Sequence, residues 1–147
     1  MGSLSHSRNE AVPPMSSKQR LLATMKEVMP PTPRRDVPRN LKNYFLCLLR
    51  KGDRWNETQD SPELMPQHLA FLREQLETRR FLLTGPVLPS QDQDQNDDLV
   101  GITILAAENL EEAQALANQD PGAQAGRLKM EVRPVLLPSL DAVRIEY

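Results

Sequence analysis

From Asn43 to Leu137 the hydrophobic pattern switches between a strand period and a helical period in the order strand–helix–strand–strand–helix–strand, and few folds satisfy that order. Tyr44-Phe45-Leu46-Cys47-Leu48-Leu49 is short, apolar and without alternation, which predicts a strand buried on both faces. After a polar stretch, 51–61, a helix is expected from about Pro62 or Pro66 to Thr78, since proline is tolerated in a first turn where its missing N–H would be unpaired anyway. Met65, His68, Leu69, Leu72 and Leu76 make its apolar stripe, and Arg73, Glu74 and Glu77 take the outer side. Phe81-Leu82-Leu83-Thr84 reads as the next strand, ended by Gly85-Pro86. Residues 90–98 form a polar loop in solvent, joining it to an antiparallel strand from Leu99 to Ala106 in which Val100, Ile102 and Ile104 alternate. Asn109 and Glu112 make a capping-box-like pair at the start of a helix whose apolar face is Leu110, Ala113, Leu116 and Ala117. Asp120-Pro121-Gly122 ends or bends that helix. The last core strand runs from Leu128 to about Val135 with Leu128, Met130 and Val132 inward, Pro138 ends it, and Ala142–Tyr147 forms an extra edge strand or an arm.

This β-α-β-β-α-β order is the ferredoxin-like plan, an α+β fold with one antiparallel sheet and both helices on one face. Apolar residues alternate onto both sides of that sheet, so its other face also needs cover. Few residues are left over to supply it. A second subunit is the economical cover, which predicts a homodimer whose facing sheets make a dimeric α+β barrel.

Residues 1–42 have a different character. Six of the thirteen prolines fall in the first 40 positions, which keeps this segment from carrying a sheet of its own. It holds eight Lys/Arg against three Asp/Glu, whereas the remainder holds ten against seventeen. The chain is therefore read as a Pro-rich basic arm (1–42), an acidic α+β body (43–137) and a C-terminal extension (138–147). One amphipathic helix is expected in the arm at about Ser16–Met29, with Leu21, Leu22, Met25, Val28 and Met29 on one face. It is too short to be stable alone, and so docks on the body, docks on a second subunit, or frays. Arg34, Arg35, Arg39 and Lys42 make either an anion-binding patch or a solvated linker. The net charge of −2 gives no reason to expect nucleic acid or an anionic membrane as partner. No stretch reaches the roughly 18 apolar residues of a membrane span. The single cysteine, Cys47, and the absence of a secretory h-region near the start point to a reducing, cytoplasmic setting.

Few residues can do chemistry. The only histidines are His6, in the arm, and His68, which nearly excludes a Cys/His metal cluster. Phosphate-loop, dinucleotide and nucleophile-elbow motifs are missing, so no cofactor is expected. The spacing Asp92-x-Asp94-x-Asn96 resembles the start of a calcium loop, but Asp97 stands where glycine is required and Thr103 where a bidentate Glu is required. Cys47 lies in a run where an unpaired cysteine is either core packing or a nucleophile. His68 stands out by helical phase, on the apolar stripe beside Leu69 and Leu72. Asp120 does so too, three, four and seven residues after Ala117, Leu116 and Ala113. Side by side on the sheet, the two helices would let His68 and Asp120 meet. A carboxylate accepting one imidazole N–H sets the tautomer and raises the basicity of the other nitrogen, as a general base requires. The plainer alternatives are a core hydrogen bond for His68 and a brace for the Pro121-Gly122 turn for Asp120.

The body resembles the YCII-related family of small dimeric α+β barrel proteins. The resemblance rests on Pro66-Gln67-His68-Leu69, Phe81-Leu82-Leu83-Thr84-Gly85-Pro86, Glu111-Glu112-Ala113, Asp120-Pro121 and Ala125-Gly126, in that order. It implies a His–Asp pair in a pocket, here His68 and Asp120, with Thr84, Gly85 and Pro86 lining the substrate pocket. It also implies cofactor-free chemistry of the lyase or dehydrochlorinase type. Where the family usually has Asp-Pro-Tyr or Asp-Pro-Phe, this chain has Asp120-Pro121-Gly122, which leaves one pocket wall without its ring. The expected function is therefore proton transfer by His68, oriented by Asp120, on a small phenolic or polyketide-like metabolite. The competing expectation is a ligand-binding or assembly module on the same fold, without catalysis.

Overall fold

The structure, a computed structural model, describes residue 14 and residues 16–28, 36–90 and 97–147. His6, Met29, Arg34, Arg35 and the 91–96 part of the acidic loop lie outside the described residues. A helix α1 (Ser17–Val28) precedes the sheet, and its start is closed by Ser16 and Gln19 bonding each other's backbone N–H groups at 3.1 and 2.9 Å. Strand β1 (Leu41–Lys51), helix α2 (Leu64–Glu77), strands β2 (Phe81–Pro86) and β3 (Leu99–Leu105), helix α3 (Leu110–Ala117), the single turn α4 (Pro121–Gln124) and strand β4 (Leu128–Pro138) follow.

The four strands make one antiparallel sheet in the order β2-β3-β1-β4, the ferredoxin-like arrangement. Each β-α-β crossover joins two strands that run the same way and are not neighbours. The slot left by the first is filled by β3, and β4 pairs with the free side of β1. β1 pairs with β3 from Phe45↔Leu105 to Arg50↔Leu99 and with β4 from Leu41↔Pro138 to Lys51↔Leu128. As the inner strand with two partners it is longer than its apolar run, because backbone pairing extends past the last side chain that needs burial. β2 likewise continues through Gly85 and Pro86, whose proline closes an edge strand where no ladder N–H is missed. Under α2 and α3 lies the main core: Phe45, Cys47, Leu49, Phe81, Leu105, Ala113, Leu116, Ala117, Met130 and Val132.

The inward face of α2 is turned by about one residue from the sequence expectation. Leu64 and Gln75 are buried, whereas Met65 and Leu69, assigned to the apolar stripe, are more than half exposed. Leu64, His68, Phe71, Leu72 and Gln75 follow the face that the sheet covers, and Phe71 meets the Phe81 ring edge-on at 5.6 Å. Asn109 caps α3, accepting the Glu112 N–H at 2.8 Å, and the returning Glu112 carboxylate reaches the N–H of Glu108 instead of Asn109.

On the opposite face Tyr44, Leu82 and Ile104 form a second buried cluster, with Leu46, Leu83, Val135, Leu137 and Leu140 against it. Residues 139–147 add no strand. They lie as an arm, held where the Leu140 N–H meets the Tyr44 hydroxyl at 2.9 Å and where the Arg79 guanidinium donates to the Leu140 and Val143 carbonyls at 3.0 and 2.9 Å. Lys42, from the expected basic patch, pairs with Asp141 of that arm at 3.3 Å.

Candidate functional site

α2 presents His68 toward the sheet, and the end of the α3 segment delivers Asp120 beside it. His68 Nδ1 lies 2.8 Å from both carboxylate oxygens of Asp120. Asp120 is 1% exposed. Its Oδ1 also accepts the Gly122 N–H at 2.8 Å, which caps α4. The carboxylate thus braces the turn and holds the imidazole at the same time, so the two sequence readings of Asp120 are compatible. The carboxylate accepts from Nδ1–H, which leaves Nε2 as the nitrogen able to exchange a proton with a ligand. Among the described residues nothing hydrogen-bonds Nε2.

His68 forms part of the wall of a half-open cavity of about 490 Å³ lined by residues of all four strands, α2, α4 and the 52–61 loop. That is room for a small organic molecule. Its lining is mostly apolar, with Leu49, Leu64, Leu72, Val100 and Leu128 among the walls and the exposed Met65 and Leu69 beside them. Thr84, Gly85 and Pro86 line it as well. The Thr84 hydroxyl is already engaged with the Thr103 hydroxyl at 2.8 Å and the Ile102 carbonyl at 3.2 Å, so it contributes surface more than a free hydrogen bond.

Cys47 lies in the core near Asp120. Burial first, and the Asp120 charge second, push its thiol up to about 12. It is therefore protonated at neutral pH and is core packing, not a nucleophile. No group of three His, Cys, Asp or Glu among the described residues converges to hold a metal ion.

Two lining residues carried no weight in the sequence. Trp55 and Arg127 meet where the 52–61 loop touches the chain ahead of β4. Gly52 N–H donates to the Arg127 carbonyl at 2.7 Å, and Arg54 N–H to the Gly126 carbonyl at 2.9 Å. A Cβ on Gly52 would stand 2.3 Å from the Gly126 oxygen, so only glycine permits this approach. The clasp stacks the Arg127 guanidinium 3.8 Å from the Trp55 ring centre. At Gly122 an added Cβ would meet Leu128 Cδ1 at 2.7 Å. Leu128 thus occupies the place next to Gly122, and Trp55 supplies the aromatic surface of the cavity. The one signal was a lone tryptophan in a polar loop, and nothing local tied it to a residue 72 positions away.

The sequence profile of the YCII-related domain matches residues 44–136. The chain belongs to the YCII-related family. No protein of curated function matches it. Among solved structures it is similar to 5-chloro-2-hydroxyhydroquinone dehydrochlorinase (TftG) from Burkholderia phenoliruptrix in complex with 2,5-dihydroxybenzoquinone. That likeness is at 25% identity and a TM-score of 0.42, over 60% of this chain and 90% of that one. It is also similar to CPII from Thiomonas intermedia bound to ADP, AMP and acetate, at 17% identity and a TM-score of 0.35, over 71% of this chain and 98% of that one. Among the described residues of this YCII-related chain no helix is long and apolar enough to cross a membrane.

Proposed function

We propose that the chain is a cofactor-independent acid/base enzyme of the lyase, dehydratase or isomerase type. His68 is its general base and acid, and Asp120 is the positioning residue. The observation that carries this reading is the buried Asp120 carboxylate 2.8 Å from His68 Nδ1, on the wall of an apolar cavity. Nε2 takes a proton from the substrate, the electron pair left behind forms a new double bond, and a leaving group departs with its own electrons. In an elimination or dehydration the imidazolium, paired with Asp120, then gives the proton to the leaving group or to water; in an isomerisation no group leaves, and the proton returns to a second carbon of the delocalised anion. The apolar walls suit a small phenolic or polyketide-like metabolite. A homodimer would form through the outer face of the sheet, where Leu46, Leu83, Val135 and Leu137 are only partly buried. The unpaired, buried Cys47 supports a reducing, cytoplasmic setting.

The test is turnover of halogenated and hydroxylated phenols and β-hydroxy carbonyl compounds, followed by NMR of the released group, for wild type against His68→Ala. A positioned base is worth about 10²–10⁴-fold, and a loss of that size with the fold intact is the expected result. Equal rates in the two proteins would reduce the cavity to a binding site.

A further inference from the structure

We infer that the cavity selects an anionic substrate, a carboxylate or an acidic phenolate, and that Arg127 is the residue that selects it. The inference rests on the acid/base reading only for where the reacting proton lies. Arg127 lines the same cavity as His68 and is half-buried. Its Nη1 donates to the Trp55 carbonyl at 3.0 Å and to the Thr58 hydroxyl at 3.3 Å, both neutral acceptors. No carboxylate among the described residues pairs with it, whereas Arg50 has both Asp98 and Glu131 at 2.8 Å. The Nε and Nη2 N–H groups of Arg127 therefore stand without a protein acceptor among the described residues. A guanidinium held 3.8 Å over an indole ring has lost much of its freedom, so less is lost when it binds. A forked donor set beside apolar walls matches a carboxylate or phenolate, because charge-assisted bonds strengthen where water is displaced. Trp55 and Arg127 would grip the anionic end of the substrate and present the remainder to His68. The Gly52 clasp fixes this pair on the protein before the ligand arrives.

Trp55 is the only tryptophan of the chain, so its fluorescence reports occupancy directly. The experiment titrates the full-length protein with benzoate and 4-hydroxybenzoate, each against its amide, in wild type, Arg127→Lys and Arg127→Gln, and follows the Arg127 Nε–H resonance by NMR. The expected result is a preference for the acid over the amide of about tenfold or more in wild type. The Arg127 resonance shifts with the acid alone, Arg127→Lys shows a reduced preference, and Arg127→Gln shows none while still binding the amide. Equal binding of acid and amide by wild type, or an Arg127 resonance that ignores benzoate, overturns the inference, and neither depends on how well a variant folds. Arg127-dependent acid binding without turnover would sink the His68 chemistry and leave this inference standing. His68-dependent turnover of neutral substrates, with no preference for acids, would do the reverse.

Discussion

The two β-α-β halves of the sheet use their helices differently. In the second half, α3 lays Ala113, Leu116 and Ala117 against the sheet, at 0%, 7% and 2% exposure. Small side chains let that helix sit close, and the space beneath it is filled. In the first half, α2 has its buried residues near its ends, Leu64 and Gln75, and between them it turns His68 toward a cavity and leaves Met65 and Leu69 uncovered. The second half packs its helix closely on the sheet, whereas the first leaves beside its helix the cavity at which the proposed chemistry would take place.

The largest effect that would break this comparison is a crossed pair of substitutions. Leu116→Ala removes a buried side chain from the filled half and should cost about 2–5 kcal/mol, measured by urea or thermal unfolding, with turnover per folded molecule unchanged. His68→Ala should show the converse, a large loss of turnover and a smaller loss of stability. If both variants lose stability equally, the halves are not divided in this way. Next comes Gly122→Ala, at the boundary between core and cavity. A Cβ there meets Leu128, which belongs to both, and comes within 3.3 Å of Asp120 Oδ1. The expected cost is about 1–3 kcal/mol of overpacking, together with weaker ligand binding, read by unfolding and by Trp55 fluorescence. Normal stability and normal binding would mean that Leu128 yields freely.

The smallest effect concerns Cys47, on the core side of the site. Its thiol titrates near 9.0 when unfolded and about 12 when native, so both states are protonated below pH 9 and the residue adds no pH dependence there. Between pH 9 and 12 the unfolded state binds fewer protons than the native one, and stability falls as pH rises, by at most about 1.4 kcal/mol per pH unit. Cys47→Ala should remove that part of the slope in denaturant midpoints measured across this range. An unchanged slope would show that the native thiol ionises as freely as the unfolded one.

How much of this was legible in the residues depended on the range of the interaction. The element order, the Asn109 cap and the inward phase of His68 and Asp120 follow from local spacing, because a period of two or 3.6 residues shows within a dozen positions. The apolar stripe of α2 predicts a phase about one residue from the one observed. Met65 and Leu69 are apolar, and nothing in the sequence says that the sheet stops short of them. The C-terminal segment allowed a strand or an arm, and two bonds from Arg79, more than 60 residues earlier in the chain, keep it an arm.

What the sequence by itself determined was the order of strands and helices and the short list of groups able to move a proton, since periodicity and residue chemistry are local properties. The tertiary structure decided that His68 and Asp120 stand 2.8 Å apart, that Cys47 is sealed beneath them, and that Trp55 and Arg127 share a wall of the same cavity. The His68–Asp120 and Trp55–Arg127 pairings span 52 and 72 residues of chain. They exist because β1 pairs with strands far along the chain and because Gly52 lets two loop backbones touch, neither of which leaves a periodic trace in the residues concerned.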